Sequence, residues 1–208
     1  MLYGVDPCVL QGLAMPPCLF IQSEEGKGMF DVAPREIVVN LLRADYRDWL
    51  NTLSQVERDA IHKYSRNSID KMPTDRFFVR LNALLRGEYN RNDSDMLRQY
   101  AGTISNAIQR KPLKRNVVLY RGTDVNQFQG LELGSEVKID QFFSTSVIDH
   151  HALHKRDTLV IYAPIGTRGA YIEQLSAYPK QREFLLDKGN VYKLIDIEEH
   201  RYILEVMI

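Results

Sequence analysis

The sequence predicts an α+β fold, with an N-terminal helical half packed on a C-terminal β core. Between residues 35 and 110, apolar residues recur at steps of three to four: Ile37, Val38, Leu41 and Leu42, then Tyr46, Trp49 and Leu50. That is the period of helices with one buried face. Beyond Pro112 the pattern changes to short β-branched runs between turn signals, the signature of strands. Helices first and strands afterwards exclude a chain of alternating βαβ units.

Residues 1–34 are rich in proline and glycine, with Asp6, Glu24, Glu25 and Asp31 set against Lys27, and read as an extended leader arm. A single domain is expected over 35–208, mainly helical over 35–112 and mainly β over 113–208. Within it, Ser54-Gln55-Val56-Glu57 is a capping box, in which serine and glutamate each satisfy a free first-turn amide. A helix therefore starts there and runs through Ile61 to Tyr64. Further helices are expected from Phe77 to Arg86 and from Ser94 to Ile108. Strands are expected at Val117–Tyr120, Phe142–Ser146, Leu159–Tyr162, Val191–Ile197 and Tyr202–Ile208, with one more opening at Gln181-Arg182-Glu183.

The 208 residues carry 27 basic and 27 acidic side chains, so no global field draws the protein to nucleic acid or anionic membrane. No apolar run approaches the roughly 18 residues of a membrane span. The first twenty positions lack a basic region and contain Asp6, Pro7, Pro16 and Pro17, which predicts no cleavable export signal. The expected location is the cytoplasm, or a target cell reached through a dedicated delivery machine. Cys8 and Cys18, the two cysteines of the chain, read as free thiols in that setting. Neither GxGxxG nor a P-loop occurs, so a nucleotide would bind outside the Rossmann pattern.

Three separated pieces of the β half stand out: Tyr120-Arg121-Gly122, Phe143-Ser144-Thr145-Ser146 and Gln181-Arg182-Glu183. Singly, each has an ordinary reading as surface arginine, backbone-satisfying hydroxyls and a solvated polar pair. Together and in this order they resemble the Arg, Ser-Thr-Ser, Gln/Glu-x-Glu pattern of bacterial mono-ADP-ribosyltransferase toxins. The last piece is most similar to the Rho-modifying clostridial exoenzymes, since Ser176, Ala177, Tyr178, Gln181, Glu183, Leu185 and Leu186 fill every place of their Ser-Ala-aromatic-x-x-Gln-x-Glu-x-Leu-Leu motif. Leu81-Asn82-Ala83-Leu84-Leu85-Arg86, with Tyr64 upstream, resembles the Ile-Asn-x-x-Leu-Arg segment of the same family. The resemblance spans about residues 45 to 208.

The resemblance implies a two-sheet β core, NAD as co-substrate and transfer of ADP-ribose to a macromolecule. Glu183 is then the carboxylate that stabilises positive charge on the ribose as its bond to nicotinamide breaks. Ser144 holds that glutamate, while Thr145 and Ser146 fix the strand. Arg121 and Arg86 supply forked, permanent positive charge for the pyrophosphate. Gly122 permits close backbone approach to the nicotinamide carboxamide. Asn82, four residues before Arg86, shares its helix face.

Gln181 faces the acceptor. A neutral carboxamide suits a neutral partner better than a guanidinium, which leaves two acceptors: an asparagine side-chain amide, which is favoured, or a nucleobase, whose edge glutamine can bond. Tyr178 fits a base or a protein surface, and Lys180 and Arg182 give the loop local positive charge. Arg110, Lys111, Lys114 and Arg115 form a second basic run. No metal is expected, because nothing completes a site around His150, His151 and His154; His154, Lys155 and Arg156 are weak phosphate contacts. An NAD glycohydrolase and a catalytically silent relative are the competing readings. A toxin acting inside the cell that makes it needs a neutralising antitoxin or immunity partner, for which the apolar leader around Val9, Leu10, Leu13, Met15 and Phe20 is a candidate docking arm.

Overall fold

A computed structural model describes residues 35–66, 76–149, 152–153 and 155–208. The leader with its two cysteines, and His150, His151 and His154, lie outside the described residues. No described helix is long and apolar enough to cross a membrane.

Among the described residues four helices come first: α1 Arg35–Thr52, α2 Gln55–Ser65, α3 Phe77–Leu85 and α4 Ser94–Gln109. The period read from α1 buries Val39, Leu42, Tyr46, Trp49 and Leu50 along one stripe. Tyr46 stacks edge-on against Phe184 at 6.1 Å and its hydroxyl donates to the Gly169 carbonyl at 3.2 Å. The Trp49 indole donates to the Ala107 carbonyl at 2.9 Å. Each large ring thus buries its apolar body and still satisfies its polar tip. At the start of α2 the capping box is complete, with the Ser54 amide donating to Glu57 Oε2 at 2.8 Å.

Eight described strands follow: β1 Val117–Thr123, β2 Glu136–Ile139, β3 Phe143–Ser146, β4 Asp157–Ala163, β5 Gly169–Tyr171, β6 Glu183–Leu186, β7 Asn190–Glu198 and β8 Arg201–Met207. They lie in the order β2-β7-β8-β4-β1-β3-β6-β5, and of these described strands only β4 and β8 pair in parallel. The expected two sheets are linked into one continuous ladder, because β1 and β3 share the backbone pair Tyr120↔Ser146. On one side of that seam β1 pairs β4 through seven residues; on the other β3 pairs β6 through four. The seam is where the site forms.

Candidate active site

A cavity of about 520 Å³ opens between α2, α3 and the strands β1, β3 and β6, within the roughly 300–1,000 Å³ usual for small-molecule sites. Arg121 on β1, Ser144 on β3 and Glu183 at the head of β6 all line it. The pairing Ser146↔Glu183 makes Ser144 the diagonal neighbour of Glu183 on the same sheet face, within side-chain reach.

Glu183 is 3% exposed, and its two oxygens are shared between two hydroxyls. Ser144 Oγ donates to Oε1 at 2.6 Å, and Ser176 Oγ donates to Oε2 at 2.9 Å. Burial pushes the carboxyl above its ordinary pKa; the Ser144 and Ser176 hydrogen bonds and the Arg121 charge pull the other way. Ser176, here a second support of the carboxylate, was legible only as a motif position. Its hydroxyl also accepts from the Tyr178 amide at 3.1 Å, the local turn bonding that serine favours.

Arg121 Nη1 donates to the Ser144 carbonyl at 2.6 Å, and its guanidinium carbon lies 4.8 Å from the Phe143 ring centre. The strand carrying Ser144 therefore fixes both the carboxylate and the cation. Thr145 also lines the cavity, but its hydroxyl donates to the Phe184 carbonyl at 2.6 Å, holding β3 to β6. At Gly122 the close approach is by the chain itself: an added Cβ would fall 1.7 Å from the Leu153 carbonyl oxygen. Glycine is needed there to admit Leu153 and Lys155 at the cavity wall.

On the helical side, Asn82 lines the cavity and donates through Nδ2 to the Tyr64 hydroxyl at 3.0 Å. Its Oδ1 is buried without a partner among the described residues. Arg86 is not brought to the same wall. It caps the C-terminus of α3, where its guanidinium bonds Gln141 and, at 2.5 Å, Glu88. Arg86 still makes the helical backbone bond to the Asn82 carbonyl at 3.0 Å, and it is the engagement of its guanidinium by Gln141 and Glu88 that keeps it from the cavity wall. Arg76, which sequence reasoning missed, lines the cavity instead, with its Nε buried and unpartnered among the described residues. A buried donor without an acceptor is costly, and an anionic ligand in this cavity would answer it.

The loop before β6 departs from the strand expected of it. Pro179–Gln181 form a turn of 3-10 helix and Arg182 adopts the left-handed conformation, φ 51° and ψ 49°. Gln181 therefore does not share a strand face with Glu183, although both line the cavity. A non-glycine residue in that conformation stores about 1–3 kcal/mol and persists only where surroundings impose it. Here Arg182 turns inward and pairs with Glu173 rather than facing an acceptor. Lys180 and Tyr178 stay exposed. The loop is tied to α2 as well, since the Ala177 amide donates to Ser65 Oγ at 2.8 Å and His62 Nδ1 lies 2.9 Å from the Leu175 carbonyl.

Comparison with known proteins places the chain in a family. The sequence model of the ADP-ribosyltransferase exoenzyme family matches residues 42–205. The chain belongs to that family. A relative from Enterococcus faecalis, an NAD(+)–arginine ADP-ribosyltransferase, is 28% identical over 177 residues, covering 80% of this chain and 34% of its own. The chain thus spans about a third of that relative's length. Among solved structures, the ADP-ribosyltransferase toxin Plx2a of Paenibacillus larvae superposes with a TM-score of 0.70 at 22% identity, over 84% of this chain and 96% of that one. An exoenzyme of Clostridium limosum gives 0.67 at 18% identity, over 85% and 96%. These likenesses extend the α+β exoenzyme fold across the described domain.

Proposed function

We propose that this exoenzyme-family domain is a mono-ADP-ribosyltransferase toxin or effector that cleaves NAD and transfers ADP-ribose to a non-guanidinium nitrogen of a macromolecule. The observation that carries the reading is the buried Glu183 carboxylate, held by Ser144 and Ser176 beside Arg121 at a cavity of about 520 Å³. Bound NAD supplies a ribose on which positive charge develops as the nicotinamide leaves. Glu183 stabilises that charge from a fixed position and needs no reorganisation during reaction. Ser144 and Ser176 orient it. Arg121 and Arg76 bind the pyrophosphate, and the orphaned amide oxygen of Asn82 is available to a ligand donor. Arg86 joins them only if it leaves Glu88 and Gln141.

The favoured acceptor is a side-chain amide such as that of asparagine. Gln181 borders the cavity beside Glu183 and presents a neutral carboxamide, matched to a neutral amide by reciprocal donor and acceptor groups. A nucleobase is less favoured because the three arginines of the basic runs are each paired with a carboxylate: Arg182 with Glu173, Arg110 with Glu57 and Arg115 with Asp45. Arginine is a second reading, since the Enterococcus relative carries that acceptor in its name. A neutralising partner remains the expectation for a toxin retained in its producer.

The deciding experiment incubates the protein with labelled NAD and cell lysate, then treats the product with protease, nuclease or neutral hydroxylamine. Label released by protease, resistant to nuclease and stable to hydroxylamine supports an amide acceptor. Label lost to nuclease, or to hydroxylamine as expected of an arginine adduct, overturns it. Hydrolysis of NAD without any label transferred makes the protein a glycohydrolase.

A further inference from the structure

We infer that Glu173 is the positioning residue for Gln181, acting through Arg182 to hold the acceptor-facing loop while leaving the donor carboxylate independent. This inference rests on the acceptor role proposed for Gln181. Glu173 follows β5 and is 5% exposed. Its carboxylate takes a bidentate pair from Arg43 of α1, with Nε to Oε2 and Nη2 to Oε1 each at 2.8 Å. The same Oε1 receives Nη1 of Arg182. One buried carboxylate therefore joins two cations, one on helix α1 and one on the loop.

What that clasp holds is the left-handed residue between Gln181 and Glu183. Backbone bonds from Gln181 N to the Tyr178 carbonyl (2.9 Å) and from Arg182 N to the Pro179 carbonyl (3.1 Å) close the turn. The N-terminal arm of the loop is anchored to α2 through Ala177 and Leu175, while its C-terminal arm, which carries Gln181 into Glu183, is anchored by the Arg182 side chain and by the bond from Val147 N to the Arg182 carbonyl (3.1 Å). Glu183 has its own supports in Ser144, Ser176 and the β3 ladder. Removing the Glu173 charge leaves two guanidiniums facing each other without a counter-charge, one of them only 25% exposed. The less costly escape is for Arg182 to swing to solvent, carrying Gln181 with it. Glu173 thus separates two functions that lie two residues apart in sequence: it governs transfer and not cleavage.

The test compares Glu173→Gln, Arg182→Met and their double variant in the full chain. Hydrogen exchange is followed over residues 177–182 and 184–186. Two rates are measured: incorporation of biotin-tagged ADP-ribose from tagged NAD into a cell lysate, and hydrolysis of NAD without lysate. Each single variant is expected to raise exchange over 177–182 and to lower incorporation about tenfold, with hydrolysis changed less than twofold. The double variant should fall no further, because both changes break the same link. Incorporation retained in Glu173→Gln, or hydrolysis falling in parallel with it, overturns the inference. Arg182→Met decides the question in the same way should the buried substitution fail to fold. Gln181→Ala separates the levels: if it abolishes incorporation while Glu173→Gln does not, the positioning role alone is wrong; if it leaves incorporation intact, the acceptor reading beneath it is wrong.

Discussion

Ser176 Oγ lies 2.9 Å from Glu183 Oε2, on the opposite side of the carboxylate from Ser144. A hydrogen bond to a charged group contributes about 1.5–3 kcal/mol, and here both bonds fix the carboxylate oxygens at the cavity. Ser176→Ala and Ser144→Ala are each expected to lower kcat for NAD cleavage by roughly ten- to a hundredfold with a small change in KM. Steady-state kinetics of nicotinamide release measures this. A rise in KM alone would mean that the serines bind substrate rather than orient the glutamate.

Removing the carboxylate itself should cost more. Glu183→Gln keeps the shape of the side chain and loses its charge, so kcat should fall by about 10²–10³. NAD affinity by calorimetry should remain near that of the unmodified protein. Retained turnover would displace Glu183 from the chemistry.

The pH dependence follows from burial, which raises the Glu183 pKa above its ordinary value of 4.5. The folded protein then holds this proton more tightly than the unfolded chain. That contribution to stability is fully present below pH 4.5 and is lost as pH rises through the higher folded value. Glu183→Gln should therefore gain Tm over the unmodified protein progressively as pH increases from about 4 to neutrality. Cleavage needs the ionised form, so the acid limb of kcat/KM should lie above the ordinary carboxylate range. Ser144→Ala should move it higher, since that hydrogen bond opposes the shift.

Arg76 and Arg86 separate cleanly in a binding experiment. Arg76 reaches the cavity wall with an unpartnered buried nitrogen among the described residues, while Arg86 is engaged by Glu88 and Gln141. Arg76→Ala is expected to weaken NAD binding about tenfold or more, the ~1.5–3 kcal/mol of a charge-assisted bond, and Arg86→Ala by less. The reverse order in calorimetry would show that Arg86 turns inward when the ligand binds.

Much of this was legible in the chain because burial writes itself into spacing. The stripe of Leu42, Tyr46 and Trp49 announced α1, and Ser54 with Glu57 marked the start of α2. The three motif pieces reach one cavity because β1, β3 and β6 are adjacent in the sheet. Two strands were not foreseen. β2 buries only Ile139 of its four residues, and β5 is three residues long, so neither has enough alternation to read. The turn at Gln181 was hidden for a different reason: its left-handed residue is an arginine, held by a carboxylate nine positions earlier, where a glycine would have signalled it. The fate of Arg86 was equally invisible, because helix spacing gives the face a residue leaves from and not the partners, here Gln141 and Glu88, that hold the end of its side chain.

The lone backbone pair Tyr120↔Ser146 puts the cation and the carboxylate of this site on separate halves of the sheet. A site built across that join exists only where both halves are folded against each other, so Arg121 and Glu183 come within reach of one ligand only in the completed sheet.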